Sequence, residues 1–337
     1  MRIWSMLVFV AACSGDGEAP IDGAMQIDDS SMAIDGPVDG PPVDAPVMES
    51  CSAAGWCTTN TPPSYTWALS VTPNDQLWTV AYGATRKVAT GWQQFDVSWH
   101  DLVDAFIVHN ELYTVHAVGP NDVWVGGRQG YVGHFNGGTW QEFRPAAPWP
   151  QGIWGSATND VWVLYDSGLR YHWNGTALEG KPTSEVRYNG AWGRSATDVW
   201  GFGETVISSL YYPAIDHFDG TTWTRTVVPG NGEVISLWAS STSDVYAVVT
   251  LNGTTRVAHF DGTTWTLVTD SDVTQINGVW GRAANDVWLV GRQGRIVHFD
   301  GTAWTPSASG STKTLADIGG TATTIWVTGD GVALHRP

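Results

Sequence analysis

This sequence predicts an all-β chain, a seven-bladed β-propeller, on three observations. Six Trp and one Tyr recur along it (Trp78, Trp124, Trp162, Trp200, Tyr246, Trp288 and Trp326), separated by 46, 38, 38, 46, 42 and 38 residues. Five of them end one phrase: Asn121-Asp-Val-Trp124, Asn159-Asp-Val-Trp162, Thr197-Asp-Val-Trp200, Ser243-Asp-Val-Tyr246 and Asn285-Asp-Val-Trp288. Within each unit, short aromatic and β-branched runs are cut by Asn-Gly or Asp-Gly, the signature of tight hairpins. Four strands in roughly 40 residues make one propeller blade.

Residues 1–12 hold one Arg, an apolar run from Ile3 to Val10, and small residues before Cys13. A basic start, an apolar core and small residues before the cut describe an export signal, and the core is far too short to span a bilayer. Val10-Ala-Ala-Cys13 resembles the bacterial lipobox. That resemblance implies cleavage before Cys13, lipidation of its thiol and a chain held on the cell envelope, with an outer-membrane location expected. Residues 13–50 read as a disordered acidic tether. Positions 14–50 carry nine acidic residues and no basic one, in low-complexity phrases such as Val38-Asp-Gly-Pro. Such a composition buries too little apolar surface to fold.

Residues 51–337 form the propeller, and the seven-unit repeat overrides the two-domain prior set by length. The last unit ends after its third strand, whereas a strand-like Gly55-Trp56 stands alone ahead of the first unit. The N-terminal strand is therefore expected to complete the last blade and close the ring, leaving no exposed edge. Cys51 and Cys57 bracket Trp56. In an exported chain a disulfide between them is expected, with two free thiols as the alternative.

With strands named a to d from the axis outward, the aromatic slot of strand a is read at His116, Trp154, Trp192, Trp238, Trp280 and Ile318. Each lies eight residues before the strand-b aromatic. The b–c and d–a spacings vary instead, and both connections lie on one face. A rigid scaffold with variable loops on one side is the usual layout of a binding surface. Three loops stand out there, at 96–110, 204–213 and 250–255. Most of the 21 Trp fall in repeat slots and read as core. Trp67, Trp99 and Trp149 fall outside them and are candidates for ligand contact, together with His100, Asp101 and Glu204. The His of strand c (His134, His172, His217, His259, His298 and His335) reads as one hydrogen bond repeated in every blade. The Asp before Val-Trp reads as a side-chain cap on the a–b turn.

The phrase Val279-Trp-Gly-Arg-Ala-Ala-Asn-Asp-Val-Trp-Leu-Val-Gly291, with the following Gly294-Arg-Ile-Val-His-Phe-Asp-Gly301, resembles the repeat of lipid-anchored propeller proteins abundant in myxobacteria. That resemblance covers residues 55–337 and implies a fold and an envelope location without an activity. Kelch and WD-repeat propellers are more distantly similar.

The net charge of −17 makes nucleic acid a poor partner. No phosphate-binding Gly loop, nucleophile elbow or zinc-protease helix occurs in the sequence. No cofactor or metal is expected. The leading reading is a monomeric, non-enzymatic binding or scaffold module for a protein or polysaccharide of the cell envelope. A glycan-binding lectin using Trp67, Trp99 and Trp149 is the alternative. A polysaccharide-active enzyme using Asp101, Asp104, Glu204, Asp270 or Asp272 ranks below both, since glycosidases need two carboxyl groups about 5–10 Å apart.

Overall fold

The computed structural model describes residues 50–59, 65–95, 97 and 111–337, and these form a seven-bladed β-propeller. Blade 3 is representative: Pro150–Ala157, Asp160–Tyr165, Arg170–Trp173 and Leu178–Lys181 run as an antiparallel four-stranded sheet in that order. Each innermost strand touches the innermost strands of both neighbouring blades, so the ring is closed.

The seam falls where the sequence places it. In blade 7 the strands Leu315–Gly320, Ile325–Gly329 and Ala333–Arg336 are completed from the N-terminal side by Cys57–Thr58, with Cys57 opposite His335 and Thr58 opposite Leu334. A two-residue strand, Ser50–Cys51, adds a fifth outside it, and Cys51 is disulfide-bonded to Cys57. Trp56 is buried edge-on against Trp288, ring centroids 5.5 Å apart, and its indole N–H donates to Ser307 Oγ at 3.0 Å.

A polar hub organises five blades. The strand-c His stacks on the strand-b aromatic, with centroids 4.1 Å apart for Trp124 and His134, 4.0 Å for Trp200 and His217, and 3.9 Å for Trp288 and His298. Its Nε2 bonds the Asp that opens strand b, at 2.6 to 2.8 Å in every one of the five. The Asp was expected to cap the a–b turn; its carboxylate instead reaches across to strand c. Its second oxygen is served from strand a. A β-bulge near the end of that strand turns one extra residue toward the Asp. Ser156 and Ser240 donate to Asp160 and Asp244, and Arg194 and Arg282 pair with Asp198 and Asp286. In blade 1, Arg86 stands opposite Trp78 in place of the His and lies 5.4 Å from its ring centre, a cation–π contact.

Blade 2 is the exception that tests the hub. Its bulged residue is Val118, which has nothing to donate, and Asp122 Oδ2 is buried without a partner. A buried acceptor left unpaired costs about 1–3 kcal/mol. Val118→Thr keeps the side-chain shape and supplies the missing hydroxyl, so it should raise unfolding stability by about 1 kcal/mol. Ser156→Ala should lower it by a similar amount. Chemical denaturation of the two variants beside wild type checks both; a destabilised Val118→Thr would contradict the hub.

Candidate functional site

Large side chains are exposed on one face of the ring. Among the described residues eight such side chains are exposed, and seven of them lie in b–c or d–a connections: Tyr65, Tyr82, Trp149, Val206, Ile207, Leu210 and Tyr211. The eighth, Leu267, sits on the outermost strand of blade 5. The opposite face ends in turns whose side chains are already bonded to their own backbone. Asp219, for example, accepts N–H bonds from Thr221 and Thr222, and these hold its carboxyl well below the usual range.

Two of the three segments singled out on the variable face are not loops. In blade 4 the ladder continues from Asp198–Ile207 into Leu210–Phe218, pairing Thr205 with Tyr212, Val206 with Tyr211 and Ile207 with Leu210. Ser208 and Ser209 both have positive φ, 50° and 67°, which matches the twist a two-residue hairpin turn requires. The residues read as a loop are therefore a β-hairpin that carries four exposed apolar side chains at its end. Blade 5 repeats the arrangement on a smaller scale, with Leu251 opposite Thr254. The Gly-rich b–c segments of blades 2 and 6 are matching 3-10 turns, Arg128–Gly130 and Arg292–Gly294. Gly130 and Gly294 have φ of +77° and +69°, and any Cβ there would strike the carbonyl oxygen of Ala147 or Ser311.

The same face opens on the bore of the ring, a cavity of about 560 Å³ walled by the innermost strands. A second β-bulge, near the start of strand a in six blades, adds one residue at equivalent positions: Tyr113, Gln151, Asn189, Ile235, Asn277 and Ala316. All six line the bore. Deeper down lie His116, Trp154, Trp192, Trp238 and Trp280. The Gly after the slot has a packing reason in three blades. A Cβ on Gly193, Gly281 or Gly320 would meet the indole of Trp154, Trp238 or Trp280 from the preceding blade within 3.0 Å, whereas one on Gly155 would meet Val161 and the Asp160 carbonyl.

Ile318 does not occupy the aromatic slot of blade 7. It pairs with Val327, and Gly319 stands opposite Trp326. Blade 7 lacks the bulge near its a–b turn, so its spacing is one residue shorter. The corrected register puts Asp317 opposite Thr328, where the other blades carry Ala68, Thr114, Gly152, Gly190, Ser236 and Gly278. Asp317 accepts the N–H of Leu69 from blade 1 at 2.9 Å and of Ile318 at 2.8 Å, and burial pushes its carboxyl up to about 6. His116 bonds the Gly155 carbonyl at 2.8 Å, and burial lowers its pKa to about 4.

The candidates read from sequence are dispersed. Trp67 is half-buried at the rim of the bore, 5.8 Å from the Tyr113 ring and 5.3 Å from Tyr82. Trp149 is exposed on the same face. Glu204 is bonded to Arg187 at 3.0 Å, and burial raises its pKa, with the Glu233 charge adding to the shift. Asp270 accepts the Asp272 N–H within one turn. Cys13, Trp99, His100, Asp101 and Asp104 lie outside the described residues. Among the described residues no cluster of three or more His, Cys, Asp or Glu could hold a metal ion. Asp317 and Glu233 were not singled out by sequence, and His116 was read only as a strand-a slot residue.

No family model matches this chain, and no curated protein matches it. Among solved structures it is similar to YCF48 bound to a D1 peptide, at 16% identity and a TM-score of 0.64 over 89% of this chain and 99% of that one. It is also similar to a catalytically inactive virginiamycin B lyase from Staphylococcus aureus with quinupristin, at 12% identity and a TM-score of 0.65 over 83% and 98%. YCF48 from Cyanidioschyzon merolae matches at 15% identity and a TM-score of 0.60 over 84% and 98%. Identities this low show the fold and nothing finer.

Asp317 and His116 make opposite demands on pH. A carboxyl raised in the folded state favours folding in acid, and that stability is lost as pH rises from about 4 to about 6. An imidazole lowered in the folded state favours folding above about 6.5, and that stability is lost as pH falls toward about 4. Between pH 7 and 4.5, Asp317→Ser should therefore lose stability relative to wild type, and His116→Trp should gain it. Each difference is expected to be up to about 2 kcal/mol once the water reaching the bore is allowed for. Denaturant unfolding across that range decides it; parallel pH profiles for the three proteins would contradict these ionisation states.

Proposed function

We propose that this chain is a lipid-anchored binding module of the cell envelope, without catalytic activity of its own, that docks a protein partner on its b–c/d–a face. One observation carries the reading: among the described residues, seven of the eight exposed large side chains lie on that face, four of them at the end of one hairpin. Exposed apolar groups gathered on one face mark an interaction surface, whereas scattered ones do not. The hairpin is held by backbone pairing through Ile207 and Leu210, so its apolar end is presented at little further cost in chain entropy.

Two further points support this reading. YCF48, a propeller of similar fold, is seen with a peptide bound. Of the acids raised as catalytic candidates, those among the described residues are otherwise engaged: Glu204 is bonded to Arg187, and Asp270 and Asp272 share a turn of their own. The anchor rests on Val10-Ala-Ala-Cys13, and the acidic residues 14–50 would give the propeller reach above a membrane.

Two experiments test the two halves of the proposal. Cys13→Ser should move the chain from the membrane fraction to the soluble fraction of expressing cells, detected by immunoblot; a variant that stays membrane-bound removes the anchor. Replacing Val206, Ile207, Leu210 and Tyr211 by Ser should abolish co-purification of the partner from solubilised envelopes while leaving the unfolding midpoint within a few degrees. Undiminished capture by that variant would move the interface off the hairpin.

A further inference from the structure

The bore departs from sevenfold symmetry, and the departures meet in one place. Blade 7 carries Ala316 where five other blades bulge Tyr113, Gln151, Asn189, Ile235 or Asn277 toward the axis. It carries Gly319 where blades 3 to 6 carry Trp154, Trp192, Trp238 and Trp280. Blade 1, its neighbour, puts Ser70 opposite Trp78 in that same slot. Leu69 of blade 1 covers Gly319, its Cδ1 2.7 Å from where a Cβ would stand, but Ala316 and Ser70 leave the wall beside Asp317 low, and Ala316, Asp317 and Ser70 all line the cavity. The result is a notch at Ala316 with a carboxylate in it, with Trp154, Trp192, Trp238 and Trp280 among the residues of the remaining wall.

Among the described residues that line the bore, no Lys, no Arg and no second carboxylate faces it. The titratable groups that line it from other strands are His116, kept neutral by its low pKa, and Tyr113, pushed up to about 12 by burial and its bond to Glu111. At the mouth, Arg187 is paired with Glu204, and Glu233 accepts a bond from Asn189. Each Asp317 oxygen takes one backbone N–H and retains acceptor capacity.

We infer that this notch is a binding site for an organic ammonium group, its charge on Asp317 and its apolar body against the Trp wall. A cation in an indole-lined cavity gains from the ring quadrupoles as well as from the carboxylate. The volume, about 560 Å³, is that of a small-ligand site. A bare divalent ion would need several oxygen ligands, and the notch offers one carboxylate. The stitch between blades 7 and 1 does not itself demand an acid. Ser236 occupies the equivalent position in blade 5 and accepts the Val279 N–H of blade 6 at 3.1 Å. A Ser in place of Asp317 would keep that seam, so the charge is surplus to closure. The elevated pKa of Asp317 fits an acid awaiting a cationic partner.

The ammonium could belong to a free amine or to a lysine side chain, and the test separates them. The purified full-length chain is titrated by calorimetry at pH 7.5 with n-butylammonium chloride, with n-butanol as the neutral isostere, and with Nα-acetyl-lysine methylamide. Butylammonium is expected to bind and butanol is not. Binding of the lysine amide as well assigns the notch to a side chain on a peptide, and its exclusion assigns it to free amines. Asp317→Ser should weaken butylammonium binding at least tenfold. Ala316→Gln, which fills the notch with the blade 3 residue and leaves Asp317 in place, should weaken it too, and carries the test should Asp317→Ser unfold. Protons compete for the carboxylate, so affinity should fall about tenfold from pH 7 to pH 5. No butylammonium binding, equal binding of the alcohol, or a folded Asp317→Ser that binds like wild type would overturn the assignment. This site stands apart from protein docking, since loss of hairpin-dependent capture leaves the amine titration unaffected.

Discussion

Everything described here depends on one seam. Cys57 and Thr58 pair with His335 and Leu334, joining strands nearly 280 residues apart in sequence, and Trp56 is sealed beside them against Trp288. A repeat array held only by neighbour contacts can open at either end. Closure gives every innermost strand two flanking partners and leaves a bore of fixed shape. The Cys51–Cys57 disulfide pins the short strand at its free end, and Asp317 stitches the inner edge of the seam to Leu69. Two residues of pairing alone would make a weak joint; buried indole, disulfide and inner stitch together make it secure.

The scaffold was legible because it repeats. A Trp or His that recurs at one position in several copies is solving one packing problem several times, so blade number, strand order and the closing strand could be read directly. Detail was lost where two solutions share a spacing. Eight residues separate Trp154 from Trp162 because a bulge near the turn adds one, and seven separate Gly319 from Trp326 because blade 7 lacks that bulge. Counting eight back from Trp326 lands on Ile318 and puts Asp317 in a slot meant for a buried aliphatic. Among the described residues, the one carboxylate in the wall of the bore was hidden by a register error of one.

The b–c hairpin of blade 4 was misread for a related reason. Its length marked it as variable, and variable segments read as loops. Yet Thr205-Val-Ile207 and Leu210-Tyr-Tyr212 are strong strand formers, and a turn of two Ser residues with positive φ is an unusual choice where Asn-Gly is the common one. The signal was in the sequence as β-branched and aromatic residues flanking a two-residue gap. The candidates at Trp99, His100 and Asp101 fall outside the described residues, so the site described here rests on the strands and hairpins.

The two bulges divide the polar work of blades 3 to 6. The one near the a–b turn aims Ser156, Arg194, Ser240 or Arg282 at the hub Asp, where the group is consumed in holding strands together. The one near the opposite end aims Tyr113, Gln151, Asn189, Ile235 or Asn277 at the bore. There Asn189 and Asn277 each donate to a carbonyl of the next blade, Val234 at 3.0 Å and Leu315 at 2.8 Å, while Tyr113, Gln151 and Ile235 differ from them and from one another. Each bulge gives up a residue of ladder pairing and bends its strand, so keeping a second one in six blades has a cost in regularity. A wall needing only to be closed would do without it. Six side chains of five kinds turned into one cavity, above a carboxylate that closure does not require, have the composition of a surface that discriminates.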